Sequence, residues 1–144
     1  MGADSEVAWP NGAPCVGQAA SLSRAVEARD IELFTAISGD KNPLHYDRAA
    51  AARTKFGEII VQGGVTSAIL NAVVAEKLPG PGSVFLQVNW SFKAPVRPGD
   101  VITGTVEVIE VRRDKPITKL KTRVVRGDGV VALEGDAVCY TMAL

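Results

Sequence analysis

The only histidine in the chain lies in a short segment that also holds an acid and a proline. In the stretch SGDKNPLHYD, residues 38–47, His45 follows Asp40 by five positions, with Asn42 and Pro43 between them. A carboxylate and an imidazole that share one water molecule can take a proton from it and return one elsewhere, which is general acid–base catalysis. The segment therefore has two interpretations: a catalytic pair, or a proline turn whose histidine only completes the loop.

The backbone decides whether the two side chains can meet. On an unbroken helix, residues five positions apart point about 140° away from each other. Gly39 favours the end of a preceding helix, and Pro43 disfavours helical geometry at Asn42. The chain must turn here, and Asp and Asn side chains stabilise such turns by accepting hydrogen bonds from nearby amides. The spacing therefore permits Asp40 and His45 to converge, and it equally permits a plain capped loop.

The composition is that of a globular protein and excludes several functional classes. The 144 residues fit one domain, 47% of them are hydrophobic, and the net charge is zero, which argues against a protein that coats nucleic acid. No apolar run approaches the roughly 20 residues of a membrane span, and the start, MGADSEVAWPNG, does not resemble a signal peptide. One histidine and two distant cysteines, Cys15 and Cys139, predict no metal site and a cytoplasmic location.

The first half of the chain predicts helices after a single strand. We expect a flexible N-terminal arm at residues 1–15 and one domain at residues 16–144. The expected elements are a strand within 18–27, a helix at 28–38, a helical turn or two at 47–55 and a helix at 63–78. The last of these, GGVTSAILNAVVAEKL, has so few polar residues that we expect it to be buried almost all round, including Asn71.

After residue 81 the hydrophobic residues recur at every second position, which is the period of a β-strand, and no longer at helical spacing. Four strands are expected, at residues 84–92, 101–111, 117–126 and 130–142. Their hairpin-length connections make neighbouring strands antiparallel. A sheet of about five strands can cover the apolar helix only if it curls around it. The predicted fold is therefore α+β, with a curved antiparallel sheet wrapped around a central helix.

The longer run FTAISGDKNPLHYD closely resembles the signature of the MaoC-like (R)-specific enoyl-CoA hydratases, whose core reads Ser-Gly-Asp-x-Asn-Pro-x-His. The likeness continues through IVQGG and the helix after it, then PGPGSVFL, WSFKAPVRPGD and DKPI, and it covers about residues 25–142. The resemblance implies a hot-dog fold, which agrees with the architecture expected from the patterns. It also implies a homodimer with active sites near the subunit interface.

The resemblance implies a reaction and assigns residues to it. The family adds water to trans-2-enoyl-CoA and forms (R)-3-hydroxyacyl-CoA, so we expect no cofactor. By motif position, Asp40 and His45 are the catalytic acid–base pair, Asn42 supports their geometry, and the backbone N–H of Gly63 faces the thioester oxygen. Family members usually carry His-Gly where this chain has Gln62-Gly63. We expect Asn42, Gln62 and Gly63 to form the substrate-binding set.

Two positions depart from the family pattern. Gln62 can form hydrogen bonds but cannot transfer protons. If the usual histidine only positions substrate or backbone, activity survives the change; if it does more, the enzyme is slow or specialised. Gly64 is smaller than the apolar residue expected at its position, which would widen the substrate pocket.

A basic hairpin in the second half offers a second candidate surface. Seven of the sixteen basic residues lie between positions 112 and 126, and Lys119, Lys121 and Arg123 share one face of a strand. A solvated sheet face is one interpretation. Attraction for CoA phosphates, or for an acyl carrier protein that delivers the substrate, is the other.

Two further functions remain open alongside the hydratase. A hot-dog fold also hosts thioesterases, because a fold does not determine the chemistry. The replacement at Gln62 motivates a third reading, an acyl-CoA binding protein without turnover. A thioesterase releases free CoA thiol, a binding protein turns nothing over, and a hydratase consumes the conjugated double bond.

Overall fold

A five-stranded antiparallel sheet and one long helix form the core of the computed structural model, which describes residues 9–144. The strands are β1 Ala19–Ala25, β2 Ser83–Phe92, β3 Val101–Val111, β4 Ile117–Arg126 and β5 Val131–Thr141. The helices are α1 Ala28–Ser38, α2 Arg48–Ala52 and α3 Gly63–Glu76, with a 3-10 helix at Pro43–His45. The spatial order β1-β3-β4-β5-β2 makes β1 and β2 the edge strands.

The predicted α+β architecture is confirmed, and most element boundaries agree with the sequence patterns. α1, β3 and β4 have the expected bounds, while β1, β5 and α3 are each a few residues shorter at their ends. α3 contacts all five strands, so the sheet curves around it as expected. The core includes Leu70 and Val73 of α3 together with Leu120 and Leu133 of the sheet.

The prediction that α3 is buried almost all round was wrong. One face is covered by the sheet, where Ile69, Leu70 and Val73 are at most 3% exposed. On the opposite face Asn71 is exposed, as are Ala68 and Ala75. One sheet covers one side of a helix, and the small residues of the other side look apolar in the sequence although they lie at the surface.

β2 does not keep a single alternation along its length. Its pairing with β5 shifts register between Phe85 and Gln87, where β2 has an extra residue. Phe85 and Trp90 therefore pack edge to face on the core side, with ring centroids 5.6 Å apart. In a regular strand these two residues, five positions apart, would lie on opposite faces of the sheet. The exposed large apolar side chains of this edge strand are Val84, Leu86, Val88 and Phe92.

The segment before β1 is partly packed against the domain. Residues 1–8 of the expected arm lie outside the described residues. In the remainder, Trp9 is 3% exposed and its indole N–H donates a 2.8 Å hydrogen bond to the carbonyl of Arg112. This bond joins residue 9 to the turn between β3 and β4. Packing against the domain therefore begins before residue 16, where the domain was expected to start.

The basic residues of β4 lie opposite acidic residues on both neighbouring strands. Lys121 pairs in register with Glu107 of β3 and with Asp136 of β5. The further opposite-charge pairs are Lys119 with Glu110 and Arg123 with Glu134. Opposite charges on neighbouring strands attract each other and reduce the net charge of the surface. This arrangement favours the solvated sheet face over a basic docking patch.

Candidate active site

The segment after α1 turns as soon as the helix ends. Gly39 has a φ of 78°, in the left-handed region, and its N–H donates to the carbonyl of Thr35 at 2.8 Å. The Oδ1 atom of Asn42 accepts a 3.1 Å hydrogen bond from the N–H of Leu44 and caps the 3-10 helix Pro43–His45. Asn42 thus supports the turn, and the turn brings the residues on its two sides together.

Asp40 and His45 face each other across this turn. The distance from Asp40 Oδ2 to His45 Nε2 is 3.7 Å. That is too long for a direct hydrogen bond, but one water beside the line that joins the two atoms can lie about 2.8 Å from each. The side chain of Asp40 is 38% exposed and that of His45 only 8%. Water can therefore reach the pair from the carboxylate side.

The remaining polar atoms of both side chains are held by the backbone. His45 Nδ1 lies 2.6 Å from the carbonyl oxygen of Ile60. A carbonyl only accepts, so Nδ1 carries a proton, and Nε2 is the nitrogen that faces Asp40. Asp40 Oδ1 accepts the N–H of Asn42 at 3.0 Å, which leaves Oδ2 directed at His45. Both side chains are therefore oriented before any substrate binds.

Gly63 begins α3 at the edge of an open cavity of about 370 Å³. Within the described part of the chain its N–H donates to no acceptor. A free amide at a helix N-terminus favours negative charge. Ile60, whose carbonyl binds the ring of His45, lines the same cavity, as do Phe56 and Phe92. The free amide of Gly63 and the residue whose carbonyl holds the ring of His45 thus line one cavity.

Gln62 was expected to contact the substrate, but its side chain is turned toward α1. The residue is 1% exposed. Its Nε2 lies 3.0 Å from the carbonyl of Ile31 and 3.0 Å from the hydroxyl of Thr35. Thr35 was missed by the sequence reasoning, although it also binds the carbonyl of Asp40 at 2.8 Å. Its place one helical turn before Gly39 was the available signal, because residues four apart share a helix face.

The expectation that Gly64 widens the pocket was wrong. A Cβ built on Gly64 would overlap the ring of Phe34, which fills this space from α1. A glycine here therefore admits a large neighbouring side chain and does not leave a void. A larger hollow of about 600 Å³ lies beside α1. Neither this hollow nor the cavity at Gly63 has Asp40 or His45 in its lining.

Other groups in residues 9–144 do not form a competing site. Within that range no three His, Cys, Asp or Glu side chains are grouped as metal ligands. The same residues contain no helix that is long and apolar enough to cross a membrane. Cys15 is exposed and Cys139 is buried, and burial raises the pKa of the Cys139 thiol to about 12. A neutral, enclosed thiol of this kind is a poor nucleophile.

Comparison with known proteins defines the class to which this fold and site belong. The family model described as MaoC like domain matches residues 14–129. The chain is 44% identical over 123 residues to an (R)-specific enoyl-CoA hydratase of Aeromonas caviae, a match that covers 85% of this chain and 92% of that protein. It is 38% identical over 123 residues to a 3-hydroxybutyryl-CoA dehydratase of Methylorubrum extorquens, and this match covers 85% of this chain and 78% of that protein.

A solved structure agrees with these sequence matches. The (R)-hydratase from A. caviae involved in PHA biosynthesis superposes with a TM-score of 0.85 at 42% identity, and the match covers 90% of this chain and 98% of that one. The fold is therefore the hot-dog fold that the family resemblance implied. The chain belongs to the MaoC-like dehydratase family.

Proposed function

We propose that the chain is an (R)-specific enoyl-CoA hydratase that adds water to trans-2-enoyl-CoA. The observation that carries this proposal is the 3.7 Å separation of Asp40 Oδ2 and His45 Nε2. The ring of His45 is held by Ile60, which lines the cavity at Gly63. The identity of 44% to a hydratase over most of both chains supports it. The reaction is an addition with no net oxidation, so the protein needs no cofactor for it.

The acid–base pair supplies the proton transfers. One water is held between Asp40 Oδ2 and His45 Nε2, and the pair takes its proton as the oxygen bonds to the β-carbon of the enoyl group. The π electrons of the double bond move toward the thioester oxygen. The pair then delivers a proton to the α-carbon, so the net change is the addition of one H₂O.

Gly63 supplies the charge stabilisation. As water attacks, the thioester oxygen takes on enolate character and becomes more negative. The N–H of Gly63 can donate to that oxygen, and the N-terminus of α3 adds a favourable dipole. Because the water is held at the Asp40–His45 pair and the thioester oxygen at Gly63, attack is restricted to one face of the double bond. That restriction is what a single (R) product requires.

The active unit that we propose is a homodimer formed at the edge strand β2. This edge carries unpaired backbone groups and four exposed apolar side chains. Phe92, one of the four, lies against Gly63 and lines the substrate cavity. An interface here would therefore reach the active site. Light scattering at micromolar protein should give twice the 15.2 kDa chain mass, and a clean monomer mass would contradict the dimer.

The acyl carrier in the substrate is proposed to be CoA. The outer face of β4, the surface considered for an acidic carrier protein, has acidic neighbours on both sides. A carrier-protein thioester remains an alternative substrate to be assayed in parallel. The cytoplasm is the compartment that we propose, and the free thiols of Cys15 and Cys139 support a reducing one.

One assay separates the three candidate functions. Crotonyl-CoA is mixed with the protein, and the absorbance of the conjugated enoyl thioester is followed together with the appearance of free thiol. A hydratase removes the absorbance without releasing thiol, a thioesterase releases thiol from saturated acyl-CoA as well, and a binding protein does neither. Thiol release in place of double-bond loss would overturn the proposal.

A further inference from the structure

Three side chains, Thr35, Tyr46 and Gln62, connect the end of α1 to the start of α3. Gln62 Nε2 lies 3.0 Å from the carbonyl oxygen of Ile31 and 3.0 Å from Thr35 Oγ1. The carbonyl of Ile31 only accepts, so the amide nitrogen of Gln62 must face α1. The orientation of this buried amide is therefore fixed by α1 and not by the substrate cavity.

The hydroxyl of Thr35 has three partners, which fixes the direction of each hydrogen bond. Its oxygen lies 2.8 Å from the carbonyl of Asp40 and 2.5 Å from the hydroxyl of Tyr46. The carbonyl of Asp40 only accepts, so the single proton of Thr35 points there. Thr35 must then accept from both the Gln62 amide and the Tyr46 hydroxyl. Its one donor and two acceptor positions are all used.

Asp40 is bound at each polar atom except the one that faces the imidazole. Its N–H donates to Ser38 Oγ at 3.0 Å, and its Oδ1 accepts from the N–H of Asn42 at 3.0 Å. Its carbonyl accepts from Thr35. The remaining atom, Oδ2, lies 3.7 Å from His45 Nε2. The backbone carbonyl of Asp40 and its carboxylate side chain are attached to the same Cα. If the carbonyl lost its hydrogen bond from Thr35, the carboxylate could therefore move relative to the imidazole of His45.

We propose that Thr35 and Gln62 are positioning residues that set the placement of the Asp40 carboxylate relative to the amide of Gly63, with Tyr46 as a supporting donor. This proposal rests on the hydratase reaction proposed above. Gln62 precedes Gly63 in the chain, while its side chain is anchored on α1 beside Asp40. One buried side chain thus links the group that activates water to the amide that receives the thioester oxygen.

This role explains a glutamine at a position where the family usually carries histidine. An amide nitrogen donates at every pH, whereas the hydrogen bonds of an imidazole change as it titrates. The carbonyl of Ile31 and the hydroxyl oxygen of Thr35 both accept from the amide nitrogen of Gln62. Misplacement of a catalytic group by about 1 Å can cost on the order of a hundredfold in rate, so a fixed donor here matters for turnover.

The test is a Thr35→Val substitution, which removes the hydroxyl and keeps the side-chain shape. We expect kcat for crotonyl-CoA to fall about tenfold or more with KM within about twofold, because only the transition-state geometry is disturbed. Thr35→Ser keeps the hydroxyl and should restore kcat. Gln62→Met removes the amide donor and should also lower kcat. The matched control is Thr103→Val, which breaks the 2.7 Å hydroxyl pair with Ser23 on β1 and should leave kcat unchanged.

A second readout does not depend on turnover. His45 is the only histidine, so in tag-free protein its ring NMR signals need no assignment and report its surroundings. Thr35→Val should move these signals, and Thr103→Val should not. Wild-type kcat and unmoved ring signals in Thr35→Val would overturn the proposal, as would a Thr35→Ser protein as slow as Thr35→Val. If wild type does not hydrate crotonyl-CoA but the signals behave as expected, the hydratase reaction fails and the positioning of Asp40 stands.

Discussion

The turn that carries Asp40 and His45 and the start of α3 are the two halves of the proposed site, yet they are held in different ways. The turn is stabilised mainly by neighbours in the chain: Asn42 caps Leu44, and Asp40 accepts from Asn42. The start of α3 is held by partners far away in sequence, such as Ile31, 31 positions before Gln62. Short-range contacts leave a readable motif, whereas long-range contacts appear only when the chain has folded.

The largest expected effect comes from removing the chemistry of the turn itself. Asp40→Asn and His45→Gln should each lower kcat by roughly a hundredfold to ten-thousandfold, the usual contribution of a general acid or base. If both act on one water, the double variant should be little slower than the slower single variant. Steady-state hydration of crotonyl-CoA measures this, and thermal melting near that of wild type controls for unfolding. A His45→Gln protein with wild-type kcat would return His45 to the role of a loop residue.

The next effect tests the other half of the site, the start of α3. Gly63→Pro removes the free N–H, and proline is tolerated at the first position of a helix. The residue before it, Gln62, has a ψ of 148°, which suits a residue that precedes proline. We expect kcat to fall on the order of a hundredfold, the cost of losing one oxyanion donor.

Gly63→Ala is the matched control for that proline. Both substitutions place a Cβ about 3.1 Å from the ring of Phe92, but only proline removes the amide proton. Alanine should therefore keep most of kcat, and any effect that the two share reports crowding at Phe92. Equal kcat values for the two variants would mean that the N–H of Gly63 does not bind the thioester oxygen.

A smaller effect is expected from the cap of the turn. Asn42→Ala leaves the N–H of Leu44 without its side-chain acceptor. The loss of such a cap costs about 1 kcal/mol in stability. We expect kcat to fall less than in the two preceding cases, because both proposed catalytic groups remain. Asn42→Ser retains an acceptor oxygen and should recover most of the loss. Urea unfolding gives the free energies, and an unchanged midpoint for Asn42→Ala would show that the cap is not needed.

Sequence reasoning reached the turn and most of the fold because their signals are local. The break at Gly39 and Pro43, and the change from helical to twofold periodicity, each depend on residues close together in the chain. The bulge in β2 could not be read in this way, because its pairing with β5 selects the register. The exposed face of α3 was missed for a related reason, since small residues look the same in a core and at an uncovered surface.

The approach of Gln62 to Thr35 was also invisible in the sequence. The two residues are 27 positions apart, and neither belongs to a periodic pattern that points to the other. The sequence did mark position 62 as unusual, through the missing histidine. Only the packing of α1 against α3 shows which acceptors its amide meets. The departure from the family motif therefore pointed to an important position but to the wrong partner. The side chain of Gln62 was expected to contact the substrate, and it contacts α1.

The smallest expected effect concerns the two cysteines, whose difference also comes from long-range packing. Cys15 is exposed, while Cys139 lies inside β5, where burial raises the pKa of its thiol to about 12. Since this folded-state pKa lies above the usual 9.0, the protonated thiol contributes stability that is fully present below about pH 9 and is lost as the pH rises toward 12.

At pH 8 a thiol reagent should label one cysteine quickly in native protein and two in denaturant, because only Cys15 is exposed in the folded state. Cys15→Ser should abolish the fast reaction and leave the one in denaturant, and rapid labelling of native Cys15→Ser protein would show that Cys139 is open to solvent.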